Sequence, residues 1–425
     1  MVDRLKKIPP EFKKLLKITS KLSRILGYNI YLVGGIVRDL VLERKVFDLD
    51  IVVEGDAIKL AESLSKKLKS NFMRHHSFGT ATVAWRGHKI DFATARTEKY
   101  PHWGALPKIK PASLGQDLWR RDFTINALAL SLNKKDYGRL IDLYGGIADL
   151  KKGLIRVLHP RSFLEDPTRI LRAIRFEQRF GFEIEPETFL LMKQALKKKA
   201  LTWVNPHRLR DELILILKEP EPYRYIRRLD KYSGFHFLSS RLKLSNSDFK
   251  LCKRIEEVLN YYRQNNRLPR EPQGWLIYLG AILKGLPLKT IEKVLQDFAF
   301  KKGERIITTS MRESLLKARR LKLTASPKAV YCFLNQYSLE TILFFYAYYP
   351  YKRLHKNIEY FLAELIHSRT QLQGQDLKEL DIEPSVLYGR ILKNLIYAKI
   401  TKGLKTKSEE IKEVRSIFRR LTRGK

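Results

Sequence analysis

The chain has 425 residues, 44% of them hydrophobic, which supplies apolar material for more than one core and excludes a globally disordered polymer. Its 83 Lys and Arg against 45 Asp and Glu leave a net charge of +38, a field that attracts polyanions, with nucleic acid the first partner to consider and anionic lipid the second. No run approaches the roughly 18 apolar residues of a membrane span. Two isolated cysteines, Cys252 and Cys332, offer neither a disulfide framework nor metal-ligand spacing, so a reducing cytoplasm is expected, with both thiols in core packing.

Residues 1–28 space their apolar side chains as an amphipathic helix, interrupted near its start by Pro9-Pro10. This basic segment lacks the continuous apolar stretch and small-residue cleavage site of a secretory signal. Residues 31–54, YLVGGIVRDLVLERKVFDLDIVVE, carry the most information. An apolar run ends in Gly34-Gly35, a helical pattern follows, and a second apolar strand carries Asp48 and Asp50. Side chains alternate along a strand, so these two carboxylates share a face while Leu49 and Ile51 point the other way. Ionised neighbours repel unless a cation lies between them, and oxygen donors without His or Cys suit Mg²⁺, which takes a few carboxylates plus substrate phosphates. The glycines let backbone approach a phosphate, the next helix points its first amides at it, and Arg38 adds a guanidinium. Alone, a Gly-Gly is most often a turn and an Asp-x-Asp a solvated strand end; their union in one strand, turn, helix, strand unit is rarer. The stretch resembles the active-site core of the nucleotidyltransferase superfamily, in which Gly-Gly is followed about a dozen residues later by paired aspartates.

Residues 57–68 have helical spacing and are expected to cover one face of the sheet. Residues 80–85 and 89–95 read as two strands around an Arg86-Gly87-His88 turn. Asp91 sits on the second between Ile90 and Phe92, either as a third functional carboxylate on a neighbouring strand or as an edge-strand acid facing solvent. Residues 97–119, with three prolines and two glycines, read mostly as a loop over the site. They lead into RRDFTINAL, where arginine beside aspartate marks either a helix start or phosphate binding. Together LVGGIVRD, DLDIVV, RRDFTINAL and the later EDPTRILRAIRF resemble the class II tRNA nucleotidyltransferases, the CCA-adding enzymes and their relatives that add only CC or only A. The resemblance implies that Gly35, Arg38 and Arg121 contact the incoming nucleotide, that Asp48 and Asp50 hold Mg²⁺, and that Asp91 is the third catalytic carboxylate.

Residues 138–150 lead from the sheet into helices, with Gly145-Gly146 a linker turn on composition and a hinge under the resemblance. In residues 163–176, Pro167 after two acids signals a helix start. At helical spacing Arg169, Arg172 and Arg175 share a face near Asp166, opposite Ile170, Leu171 and Ile174. Spacing alone favours a solvated face with i,i+4 pairing, contributing a few tenths of a kcal/mol. The resemblance makes Glu-Asp-x-x-Arg a protein template: Asp166 and Arg169 read the base, Glu165 orients the arginine, and Arg172 and Arg175 bind the triphosphate. Arg208, Arg210 and Glu212 on the next helical run read as structural salt bridges.

Beyond residue 220 one basic helical pattern follows another, with no repeat of fixed period. The aromatics of residues 330–353 favour core over base stacking. Residues 373–392 resemble the family's C-terminal G-x-D-L-x-x-L segment, with Ser385 where glycine is frequent. The basic residues 401–425 suit tRNA phosphates or a frayed terminus. The expected fold is an α/β nucleotidyltransferase head with a mixed sheet (1–145), then an all-α neck (146–222), body (223–320) and tail (321–425). The expected function is template-independent addition of C and/or A from CTP or ATP to the tRNA 3′ end with Mg²⁺, without an obligate protein partner. A bacterial poly(A) polymerase, which shares the head, and a noncatalytic RNA-binding protein with a vestigial core are the alternatives. The chain contains no His-Asp dipeptide, which removes the simplest signature of an appended phosphohydrolase.

Overall fold

Helix α1 (Pro10–Ile25) starts where proline is best tolerated, at its first position, and buries Phe12, Leu15 and Leu16. The computed structural model describes residues 8–44, 48–265, 268–318, 326–383 and 386–422, so Ser385 and the two extreme termini lie outside the described residues. Strand β1 (Asn29–Val33) runs to Gly34, whose φ of 73° opens helix α2 (Gly35–Val41). A Cβ on Gly34 would lie 2.8 Å from Arg121 Nη1, so a glycine here serves both the turn and the close approach. Strand β2 (Leu49–Glu54) follows, then α3 (Ala57–Leu68), capped by Asp56 and matching the expected bounds.

Strands β3 (Asn71–His75), β4 (Thr80–Trp85) and β5 (His88–Thr94) form a meander. Arg86 and Gly87 both have positive φ, so the hairpin is closed by two residues and β5 begins at His88. The expected loop over the site is instead ordered. β6 (Arg96–Lys99) pairs with β7 (Lys108–Pro111) in a separate ribbon, and α4 (Leu114–Trp119) begins with a Ser113/Gln116 capping box. Proline is compatible with this ribbon because a two-stranded sheet consists only of edges. Strands β8 (Leu128–Ser131) and β9 (Leu140–Asp142) complete a seven-stranded sheet of order β3-β4-β5-β2-β1-β8-β9, parallel only between β2 and β5. One face lies under α1 and α3; Tyr31, Val33, Val52 and Ala129 on the other meet Leu114 and Leu118 of α4.

Helix α5 (Gly146–Lys152) is pinned by Asp142, whose carboxylate accepts from Gly146 N and Ile147 N, each at 2.9 Å. A Cβ on Gly146 would stand 2.3 Å from the carbonyl oxygen of Thr124. Gly146 is thus a close-packed helix start, while Gly145, at φ 76°, has open space around it. Strand β10 (Leu154–Ile155) leads to α6 (Ser162–Glu165) and α7 (Thr168–Phe180). The helix start expected at Pro167 is borne out, with Asp166 at φ −133°, because the residue before proline is driven out of the helical region and Pro167 has no N–H to continue a ladder from α6. β11 (Glu183–Ile184), α8 (Pro186–Lys197) and α9 (Pro206–Lys218) follow.

The chain divides into two compact units, residues 1–213 with 231–233, and 214–230 with 234–425. In the second unit the elements are helices. Helices Gly274–Leu283 and Leu339–Tyr348 are apolar on nearly every side and buried; of the aromatics of residues 330–353, Tyr331, Phe344, Phe345 and Tyr349 lie in core, while Phe333, Tyr337, Tyr346, Tyr348 and Tyr351 are half-buried. Glu340, fully buried, is held by both arms of Arg270 at 2.7 and 2.8 Å. A smaller core of Leu372, Leu377, Ile391, Leu395 and Val414 organises the basic C-terminal helices. Cys252 is buried as expected, whereas Cys332 is exposed. Among the described residues no helix is long and apolar enough to cross a membrane.

Candidate active site

The site starts at the parallel pair β2 and β5, where Asp50 stands directly opposite Asp91. Leu49 and Ile51, like Ile90 and Phe92, are buried, so the two acids emerge on the same, open face. β5 lies inside the sheet, which removes the edge-strand reading of Asp91; Thr82 Oγ1 donates to its carboxylate at 2.5 Å. Asp48 is exposed just before β2. Burial pushes the Asp50 carboxyl above its usual range, Arg121 opposes the shift, and the charges of Asp91 and Asp48 add to it. Two neighbouring acids, with the charge of Asp48 felt at Asp50 and Arg121 opposing, form a donor set that a divalent cation relieves. Among the described residues no group of three or more His, Cys, Asp or Glu is close enough to hold a metal ion on its own.

The RRDFTIN segment anchors the arginines beside this acidic edge. Asp117, fully buried on α4, accepts from Arg120 Nη2 at 2.7 Å, from Arg121 Nη2 at 3.0 Å and from Arg96 N at 3.2 Å. Asp122 is a second buried hub: Phe123 N, Asn126 Nδ2 and two nitrogens of Arg172 donate to it at 2.7–2.9 Å. Burial works against that charge, but Arg172 and Asn126 outweigh it and hold the carboxyl down at about 2. Asn126 in turn accepts from Arg38 Nη1 at 2.5 Å, while Arg38 grips Asp39 and lies 4.7 Å over the Phe180 ring.

Helix α7 turns its arginines toward this cluster. Arg169 and Arg175 are 4% and 6% exposed, which overturns the solvated-face reading of the helix. Glu212 on α9 accepts from Arg172 at 2.8 Å and from Arg175 at 3.2 Å. Asp166 pairs with Arg208 at 2.9 Å. Arg169 donates to Ser162 Oγ and to the Arg120 carbonyl, each at 2.6 Å. Glu165, expected to orient this arginine, reaches it here through charge, the hydrogen bonds being made by those two oxygens. The break at Pro167 leaves Glu165 on α6, where its carboxylate lies 3.5 Å from His159 Nε2. Burial, with Arg169 and Arg161 nearby, pushes that imidazole down to about 4, so it is neutral at physiological pH.

A cavity of about 720 Å³ collects these groups. Gly34, Gly35, Arg38, Asp50 and Arg121 line it from the sheet; Asp166, Arg169, Arg172 and Arg175 line it from the α6–α7 turn and α7. Asp91 lines an adjoining hollow with Asp50 and Arg121. Asp48 and Glu165 lie outside the lining. Sequence reasoning missed Tyr100, Asp122 and Asn126 as cavity residues; Arg208 and Glu212 form salt bridges, as expected, and line the cavity as well. The signal for Asp122 was its place inside RRDFTIN; its pairing with Arg172, fifty positions away, leaves no periodicity.

Residues 30–156 match the family model described as the Poly A polymerase head domain, and residues 181–242 the one described as a probable RNA and SrmB-binding site of polymerase A. An A-adding tRNA nucleotidyltransferase of Geobacter sulfurreducens is 34% identical over 95% of this chain; the chain spans 47% of that protein's length. An A-adding tRNA nucleotidyltransferase of Halalkalibacterium halodurans is 33% identical, covering 89% of this chain and 86% of its own. The Thermotoga maritima CCA-adding enzyme complexed with tRNA-CCA superposes with a TM-score of 0.73 at 31% identity, over 97% of both chains.

Proposed function

The chain belongs to the class II tRNA nucleotidyltransferase family, and from that premise we propose that it extends the tRNA 3′ end with C or A taken from CTP or ATP, releasing pyrophosphate. The observation that carries the proposal is that Asp50 of the acidic edge and Asp166, Arg169, Arg172 and Arg175 of the neck line one cavity. A triphosphate placed there has its anionic part near Gly35, Arg38 and Arg121 and its base near Asp166 and Arg169. Aspartate accepts and arginine donates in a fixed fork, so the pair discriminates bases by hydrogen bonding without a template strand. Arg172 and Arg175 meet the substrate with guanidiniums already oriented by Asp122 and Glu212. Glu165 acts on this pair through charge, from outside the lining.

Asp48 and Asp50 would hold a divalent cation, by donor chemistry Mg²⁺, which when bound supplies charge neutralisation at the reacting phosphate. Asp91, which lies beside Asp50 and accepts from Thr82, would orient the attacking hydroxyl. The basic helices beyond residue 220, divided as body and tail, suit tRNA phosphates. A cytoplasmic setting completes the reading, supported by two cysteines that remain free thiols.

Both A-adding relatives align over most of this chain, which favours addition of the terminal A alone. Incubating the protein with tRNA transcripts ending at the discriminator base, in C or in CC, with CTP and ATP supplied separately, and sequencing the ends, tests this. One A on the CC transcript is expected. Extension of the first two transcripts by CTP alone marks CC addition, extension of all three marks CCA addition, a long A tail marks a poly(A) polymerase, and no incorporation overturns the enzymatic reading.

A further inference from the structure

Asp166 is held at both oxygens before any nucleotide arrives. Oδ1 accepts from Thr168 N at 3.1 Å and Thr168 Oγ1 at 2.6 Å, and Oδ2 faces Arg208 Nη2 at 2.9 Å. An arginine that merely ties two elements together usually spends both ends of its fork. In Arg208 the other terminal nitrogen, Nη1, is shut off from solvent and has no hydrogen-bond partner among the described residues. Leaving a buried donor unmade is costly, so the position of this guanidinium answers to Asp166 rather than to a satisfied structural network. On the same wall of the cavity Arg169 is tethered as well, to Ser162 Oγ and to the Arg120 carbonyl.

Cytosine and adenine both present an exocyclic amino donor beside a ring-nitrogen acceptor, so an Asp and Arg pair can meet either edge. The pyrimidine and the purine, however, place that edge at different distances from the ribose. A carboxylate free to swing could follow either one. A carboxylate pinned at both oxygens, beside a pinned arginine, fits one span and penalises the other.

We infer that Arg208 is a positioning residue for base selection: by fixing the Asp166 carboxylate it restricts the cavity to one of the two bases. The inference rests on the reading of Asp166 and Arg169 as base-contacting groups, and adds to it a residue from α9, outside the Glu-Asp-x-x-Arg segment.

The test compares kcat/KM for ATP and CTP on one tRNA acceptor, for wild type, Arg208→Met, Arg208→Lys and Thr168→Ala. Arg208→Met keeps the length of the side chain and removes its donors; the ATP-to-CTP ratio is expected to move toward one by about tenfold, the discrimination that a well-placed bidentate pair provides. Arg208→Lys, which retains a charge on Asp166, should recover part of the ratio, and Thr168→Ala, which frees the other oxygen, should shift it the same way as Arg208→Met. A ratio that stays fixed while both kcat/KM values fall together overturns the inference, since a purely structural arginine would behave so. A wild-type ratio near one overturns it as well. Should Arg208→Met fail to fold by circular dichroism, Thr168→Ala decides by the same ratio. Incorporation of neither base by the wild type would instead overturn the functional reading beneath it.

Discussion

Asp50→Ala is expected to abolish nucleotide incorporation, lowering the single-turnover rate on the order of 10³-fold or more, because loss of several kcal/mol of charge stabilisation is tenfold in rate for each 1.36 kcal/mol. The substitution removes one of the two paired acids on the open face of the sheet and leaves Leu49 and Ile51 to hold the strand in place. It also relieves repulsion with Asp91 and Asp48, so the folded state should melt no lower than wild type. tRNA affinity, carried by phosphate contacts with basic residues, should not change. Rapid-quench incorporation and filter binding on the same preparation separate the two effects. Asp48→Ala is expected to act in the same direction. Normal turnover in either variant removes the metal assignment.

Asp122→Ala is expected to have the largest effect on stability. It leaves Arg172 deprived of one carboxylate inside the protein and Asn126 without its acceptor, and Asn126 in turn orients Arg38. Removing one partner of a buried ion pair costs roughly 3–5 kcal/mol, read from denaturant midpoints at constant m-value. The pH dependence has a defined sign. The folded carboxyl is depressed to about 2, so its stabilisation is complete above the unfolded value near 4 and is lost as pH falls toward about 2. That part of the acid dependence, about 2 kcal/mol for a shift of nearly two units, should be missing from Asp122→Ala. Equal acid sensitivity of wild type and variant would show that Asp122 is not the charged hub of this cluster.

Much of the fold could be read from local pattern. The alternation around Asp50 and the helical spacing of residues 57–68 each depend on neighbours in sequence, and both emerged as expected. The pairing of Asp50 with Asp91 was anticipated only as an acid on some neighbouring strand, because register between β2 and β5 is decided by tertiary packing. What sequence hid was non-local chemistry. Residues 97–119 looked like loop because prolines score against strands, yet a two-stranded ribbon has free edges that accommodate them. Glu165 was expected to orient Arg169, yet it ends α6, where its carboxylate meets His159, and Arg169 belongs to the helix that starts at Pro167. The arginine face of α7 looked solvated because its acids, Asp122 and Glu212, come from segments some forty to fifty residues away. Arg208 read as a structural salt bridge, and the partner it takes, Asp166, lies some forty residues away where no local spacing points to it.

The most direct test of the central claim, that the protein itself selects the base, is the incorporation rate of each of the four nucleoside triphosphates on a tRNA acceptor with no complementary strand present, compared between wild type and Arg169→Ala. The account predicts strong selection by the wild type and its collapse in Arg169→Ala, since that guanidinium lines the cavity with Asp166 and the acidic edge. Selection that survives unchanged in Arg169→Ala would contradict it.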